Sequence, residues 1–230
     1  MTHLLYTYLT NENNDSFFAD AQNNFSEEFI NKISNYKRWE DAKATVLGRL
    51  LLAYGLKHFY NYDLEQLKMR YSKDKKPYLE DSAIQFNISH SKELIVCAIT
   101  SLGDVGVDVE KINELNIDDF KDQFSSLEYR RMRNSKNALE SFYHHWTQKE
   151  AIVKAHGSGL NIPLNSFEIN NNTTIIENKQ YFLKEIVLNS QYKCNVATHN
   201  IISDNVMELT CLKSKLLTDF GSSNSLKSFR

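Results

Sequence analysis

Cysteine is scarce in this chain. Cys97, Cys194 and Cys211 are odd in number and far apart, and Cys97 and Cys211 lie in apolar, strand-like runs. This argues against a disulfide framework and predicts buried free thiols in a reducing compartment. No apolar run reaches 18 residues, and no basic region followed by an apolar stretch opens the chain. The sequence thus predicts a cytoplasmic protein with no membrane partner. Charge of neither sign dominates: 27 Lys and Arg face 29 Asp and Glu, a formal net charge of −2. A nucleic-acid footprint spread over the surface is therefore not expected. With only two prolines and seven glycines, no Pro- or Gly-rich linker divides the chain. Any two halves should pack closely.

Apolar bulk is ample. The 230 residues are 41% hydrophobic, with 12 Tyr and 13 Phe, enough for one large domain or two small ones. Residues 4–9 read as a strand and residues 11–24 as an Asn-rich loop or weak helix. Trp39, Ala42, Val46, Leu50 and Ala53 recur at helical spacing and predict a long helix over 35–60, with Gly48 and Gly55 as weak points. Residues 71–79 are basic and turn-like. Strands are expected at 84–88 and 94–100, around a turn at 89–93, and at 105–109. Helices follow at 117–133 and 139–156, then strand-like runs at 167–169, 181–188, 193–198 and 206–212. The order predicts an α+β fold of two halves, 1–112 and 113–220, with a flexible Ser-rich tail over 221–230.

The chemistry concentrates in two short runs. In Gly106-Val107-Asp108-Val109-Glu110-Lys111 the strand period of two puts Asp108 and Glu110 on one face and both valines on the other. In Trp146-Thr147-Gln148-Lys149-Glu150-Ala151-Ile152-Val153-Lys154 the helical period puts Glu150 and Lys154 on one face. Solvated carboxylates and a surface ion pair are the plain alternatives. Yet two like charges on one strand face repel unless something offsets them. Together the three carboxylates make an all-oxygen site suited to Mg²⁺, with Mn²⁺ also open, and the lysine suits phosphate transfer. Ser89 and His90, in Phe86-Asn87-Ile88-Ser89-His90-Ser91, can donate to phosphate oxygens, or simply form a turn. Lys37, Arg38, Lys75 and Lys76 are candidate phosphate contacts. His144 and His145 diverge on a helix and read as packing or surface residues. Arg130, Arg131, Arg133 and Lys136 form the densest basic cluster, a place for an acidic protein partner to dock.

The set Phe86–Ser91, Gly106–Lys111, Trp146–Lys154, Gly157-Ser158-Gly159-Leu160 and Pro163-Leu164, with Arg38-Trp39-Glu40-Asp41-Ala42 and a Lys76-Pro77 turn, resembles the 4′-phosphopantetheinyl transferases. It looks most like their long, monomeric type, which activates peptide and polyketide synthases of secondary metabolism. The resemblance covers roughly residues 35–170. It implies two similar α+β halves in pseudo-twofold arrangement, with coenzyme A (CoA) in the cleft between them. It implies Asp108, Glu110 and Glu150 as Mg²⁺ ligands, and catalytic roles for Glu150 and Lys154. CoA contacts would come from Thr45, Lys76, Ser89 and His90, with His90 toward the 3′-phosphate and with Lys37 and Arg38 in looser register. Lys75-Lys76-Pro77 departs from the commoner Gly-Lys-Pro, which leaves open which lysine meets CoA. The partner implied is an acidic acyl or peptidyl carrier protein. The same carboxylates would also serve another Mg²⁺-dependent phosphoryl or nucleotidyl transferase or hydrolase, or be structural in a non-catalytic CoA- or carrier-binding protein.

Overall fold

The computed structural model of the chain describes residues 1–10, 14–200, 207–224 and 226–227. Strand β1 (Thr2–Tyr8) is followed by helices α1 (Asn14–Asn24), α2 (Glu27–Ser34) and α3 (Trp39–Tyr60). The long helix expected over 35–60 begins at Trp39, because Arg38 is still extended; Glu40 and Asp41 fill its first turn and Lys57 and His58 its last, complementing the helix dipole. It ends where Asn61 turns left-handed, at φ 49°. Gly48 and Gly55 do not weaken it. There the helix rests directly on the sheet, and an added Cβ would meet Ile88 at 2.8 Å and Ile99 at 2.3 Å. Helix α2 was not expected. Its signals are Ser26, whose side chain accepts from Phe29 N–H, and Glu27 and Glu28 just behind it. The 11–24 segment is helical from Asn14; residues 11–13 lie outside the described residues.

Next come the hairpin β2 (Met69–Tyr71) and β3 (Pro77–Leu79), then β4 (Gln85–Ser91), β5 (Leu94–Thr100) and β6 (Val105–Lys111). Strand β4 runs through Ser91, so Ser89 and His90 lie on the strand and not in the expected turn. The reversal is confined to Lys92-Glu93, with Lys92 at φ 52°. A 3-10 helix (Ile117–Gln123) leads to α4 (Ser126–Arg133), so the continuous 117–133 helix is broken, and Ser125 and Glu128 form a capping box at the restart. Helix α5 (Ala138–His156) precedes β7 (Thr173–Ile176), β8 (Lys179–Glu185), β9 (Tyr192–Thr198), β10 (Met207–Cys211) and α6 (Ser214–Ser222). Residues 167–169 are not a strand: Phe167 O and Ile169 N–H bond to side chains instead. Residue 206 lies outside the described residues.

The fold is α+β, as expected. One sheet has the order β10-β1-β5-β4, the other β6-β9-β8-β7. Within them β1-β5-β4 and β6-β9-β8 repeat one scheme, in which an opening strand pairs antiparallel with the last strand of a later hairpin. A long helix, α3 or α5, lies between opening strand and hairpin in sequence. Sheet membership does not follow the order of the strands in the chain. Strand β6, placed by sequence at the end of the first half, pairs with β9 in the second sheet; β10 returns to pair parallel with β1. The 221–230 segment is packed where it is described: Leu226 is fully buried, and Lys227 Nζ donates to Phe25 O. Cys97 and Cys194 are buried as expected, whereas Cys211, on β10, is exposed. Among the described residues no helix is long and apolar enough to cross a membrane.

The edges of the two sheets meet along a seam of side chains. Strands β4 and β6 run side by side, in the same direction, without a backbone ladder. Asn87 Oδ1 accepts from Val107 N–H at 2.9 Å, Ser89 Oγ from Val109 N–H at 3.4 Å, and Ser91 Oγ from Lys111 N–H at 3.1 Å. Alternate residues of β4 thus stand in for the carbonyls a strand would have offered.

Candidate active site

Asp108 and Glu110 project from β6 toward this seam, while Val107 and Val109 bury themselves in the apolar layer formed with Leu4, Val96 and Ala98. Asp108 is 3% exposed, so the solvated-carboxylate alternative fails for it. Its Oδ1 accepts from Ser89 Oγ at 3.1 Å and from Lys154 Nζ at 2.6 Å, and Lys154 Nζ also reaches Ser89 Oγ at 3.0 Å. Its Oδ2 is buried without a hydrogen-bond partner among the described residues. Glu110 is half-buried and accepts from Ser91 Oγ at 2.7 Å.

Glu150 and Lys154 arrive from α5, which lies directly on β6 at Gly106. A Cβ at that glycine would fall 2.1 Å from Ala151 O and 2.3 Å from Ala155 N. Any larger residue would push the helix, and with it Glu150 and Lys154, away from Asp108. One residue before Glu150, Lys149 is fully buried. Its three N–H bonds go to Glu128 Oε2 at 3.0 Å, Leu164 O at 2.8 Å and Phe167 O at 2.7 Å. Glu128, 1% exposed, also accepts from Ser125 N–H and Ile169 N–H. Sequence reading passed over this network, because nothing local marks Lys149 as buried or Glu128 as its partner.

Burial raises the pKa of Asp108, and the Lys154 ammonium partly opposes that rise. Burial, then the charge of Asp108, raises Glu150, again against Lys154. Glu110 is raised by burial as well, opposed by the Ser91 hydrogen bond and reinforced by Asp108 and Glu150. The three carboxylates therefore feel one another, and one lysine does not neutralise them. Among the described residues, however, no three His, Cys, Asp or Glu side chains stand as a closed ligand cluster.

The other sequence candidates separate. Ser89 is buried, and its hydroxyl is fully engaged with Asp108, Lys154 and Val109, so it positions Asp108 and has no donor left for a ligand phosphate. His90, on the opposite face of β4, is exposed. With Arg38, Asp41 and Ser91 it lines an open cleft of about 440 Å³. Arg38 there pairs with Glu40 at 3.5 Å. Lys37 is exposed and does not line the cleft. Thr45 Oγ1 donates to Asp41 O at 2.8 Å and accepts from Tyr36 Oη at 3.2 Å. Lys76 turns inward: Nζ donates to Ala155 O at 2.8 Å, near the end of α5, and burial lowers its pKa. Lys75 is left exposed at φ 64°, a conformation that glycine adopts without strain. His144 pairs with Glu185 at 3.4 Å, away from the carboxylates.

Two family models divide the chain. Residues 104–202 match the 4′-phosphopantetheinyl transferase superfamily, and residues 13–102 match the 4′-phosphopantetheinyl transferase, N-terminal, family. Their junction falls just before β6, where the strand pairing puts it. The chain is 35% identical to the 4′-phosphopantetheinyl transferase gsp of Aneurinibacillus migulanus, over 76% of this chain and 73% of that one. It is 31% identical to 4′-phosphopantetheinyl transferase Sfp of Bacillus subtilis, over 70% and 71% respectively. A Xenopus laevis L-aminoadipate-semialdehyde dehydrogenase-phosphopantetheinyl transferase is 27% identical over 72% of this chain and 65% of its own.

Proposed function

The chain belongs to the 4′-phosphopantetheinyl transferase family, and from that premise we propose that it moves the phosphopantetheine of CoA onto a serine of an apo carrier protein, releasing 3′,5′-ADP. The observation that carries the reading is the meeting of Asp108, Glu110, Glu150 and Lys154 at the β4–β6 seam. An unpartnered buried oxygen on Asp108 and mutually raised carboxylates fit a hard divalent cation, Mg²⁺ or Mn²⁺, with Asp108, Glu110 and Glu150 as its holders. When bound, that ion supplies charge stabilisation at the pyrophosphate oxygens. Glu150, directly or through a water on the cation, would take the proton of the carrier serine as the serine oxygen attacks the phosphorus next to pantetheine. Lys154 gives two of its three protons to Asp108 and Ser89, which leaves one for the phosphate of the departing 3′,5′-ADP. Two halves in one chain suit a monomer, working in the cytoplasm on carriers of peptide or polyketide synthases.

Intact-mass spectrometry of apo carrier proteins with CoA and Mg²⁺ should record the gain of one phosphopantetheine, lost in EDTA. No gain on any carrier of a fatty-acid, polyketide and peptide panel would sink the reading.

The carrier-binding surface belongs to the same proposal. Arg130 and Arg133, both exposed on α4, border an open groove of about 750 Å³ with Lys121, Phe124 and Tyr129. Arg131 and Lys136 are exposed but lie off it. Basic rims around an aromatic floor suit an acidic carrier. Reversing both charges (Arg130→Glu, Arg133→Glu) should raise KM for carrier about tenfold and leave KM for CoA unchanged. High salt should act in the same direction. A carrier KM that moves in neither test would place docking elsewhere.

A further inference from the structure

Asn195 is fully buried on β9 and stands directly across from Asp108 on β6. Opposed residues of an antiparallel pair share one face of the sheet, with Cβ atoms about 4.5–5.5 Å apart. That face meets α5. Asn195 Nδ2 donates to Thr147 Oγ1 at 2.8 Å, and Thr147, also fully buried, lies one turn before Glu150. The other end of the amide, Oδ1, is buried without a hydrogen-bond partner among the described residues, and so is Oδ2 of Asp108. Two orphaned acceptors thus belong to one cross-strand pair beside Glu150 and Lys154.

The direction of the amide follows from Thr147. Its hydroxyl has one proton, which goes to the helix carbonyls Tyr143 O at 2.8 Å and His144 O at 3.1 Å. With that proton spent, Thr147 Oγ1 can only accept from Asn195, and it draws the NH₂ end of the amide. Turned the other way, the NH₂ would be free to satisfy a carboxylate oxygen, a favourable charge-assisted bond. Thr147 works against that outcome and keeps an acceptor oxygen free. Two buried acceptors on one pair are costly unless a donor or a positive charge serves them. A hard divalent cation supplies both. It offers charge to the carboxylate, and it keeps waters whose protons need acceptors.

We propose that Asn195 is a positioning residue for the cation: its Oδ1 accepts from a water that the cation carries, and Thr147 keeps the amide turned for that task. The proposal rests on the reading of Asp108, Glu110 and Glu150 as the holders of the cation. It adds a neutral outer contact from β9, a strand that brings none of those three carboxylates.

Mn²⁺ titrated into the full chain with CoA present, and followed by electron paramagnetic resonance, tests it on the wild type, Asn195→Ala, Asn195→Asp and Thr147→Val. Asn195→Ala should weaken Mn²⁺ binding about tenfold or more, the usual loss when an outer-shell contact to a metal site is removed. Its affinity for CoA in EDTA should stay that of the wild type. Asn195→Asp sets a second carboxylate opposite Asp108, so its Tm in EDTA should fall, and Mn²⁺ should raise that Tm by more than it raises the wild type's. A residue that only ties β9 to α5 would give neither response: both variants would lose stability, with Mn²⁺ affinity intact and no extra gain in Tm. If Asn195→Ala does not fold, Thr147→Val carries the test. It releases the NH₂ to turn toward the carboxylate and should weaken Mn²⁺ by a similar factor. An Mn²⁺ affinity that these substitutions do not move overturns the role of Asn195 and leaves the transferase reading standing. A wild type that binds no Mn²⁺ overturns the cation reading with it.

Discussion

Replacing Glu150 by Gln should lower the rate of phosphopantetheine transfer by about 10²–10⁴-fold, the range for losing a general base, while the protein becomes more stable. The two effects share a cause. Glu150 is half-buried beside Asp108, and burial and that neighbouring charge both raise its pKa; its ionised form is thus held at a cost in the folded state without a cation. The neutral amide removes the cost, and a gain of about 0.5–2 kcal/mol is the usual size of such a trade of function for stability. For a chain of this length that is a rise in Tm of a few degrees, read by calorimetry without divalent cation. The pH dependence has a definite sign. A carboxyl whose folded pKa lies above its unfolded value, here 4.5, destabilises fully above the folded pKa and ceases to matter below the unfolded one. The advantage of Glu150→Gln should therefore be largest near neutrality and fade as pH falls toward 4.5. A variant with near-normal turnover would remove Glu150 from the mechanism. One that loses turnover but is less stable at pH 7 would deny the electrostatic account.

Lys149→Met, one residue earlier, should do the reverse to stability and lower it sharply. The substitution leaves Glu128 as a buried charge with no counter-ion, and leaves Leu164 O and Phe167 O without their donor. Removing one partner of a buried pair typically costs about 3–5 kcal/mol, a large share of the stability of most domains. The urea midpoint should fall accordingly with little change in m. Adding Glu128→Leu should recover part of the loss, because the stranded charge goes with it. Recovery should be incomplete, since two carbonyls and the N–H groups of Ser125 and Ile169 remain unpaired. A single variant as stable as the wild type would mean that the network contributes nothing.

These neighbours show where sequence reading succeeds and where it stops. The Asp108–Glu110 face and the Glu150–Lys154 face follow from periods of two and about four, which the chain displays openly. What the periods do not carry is depth. Lys149 has the same local signature as a solvated lysine, and only the distant Glu128 and the 164–169 segment make it the pin of α5. Ser89 and His90 read as a turn because serine and asparagine favour turns. In the fold their strand continues, and Ser89 Oγ accepts from one amide of β6, Val109 N–H, 20 residues on. The sheet to which β6 belongs is hidden for a related reason. Val105–Lys111 follows β5 closely in sequence, yet its partner is β9. Helix α2, by contrast, left its cap in plain view at Ser26.

The seam between β4 and β6 has a consequence for how the two halves evolve and align. A backbone ladder would hold any pair of sequences together, since every residue brings the same amide and carbonyl. Here the joint is written in three side chains, Asn87, Ser89 and Ser91, so it is specific, heritable and open to revision by point mutation. Its spacing of two also fixes alignment. A slip of one residue would set Phe86, Ile88 and His90 against the β6 amides, and none of them offers a hydroxyl or amide oxygen there. The same serines touch Asp108 and Glu110. The joint therefore serves as an index mark, setting the height of the acidic pair against the cleft that Arg38 and His90 line on the other half of the molecule.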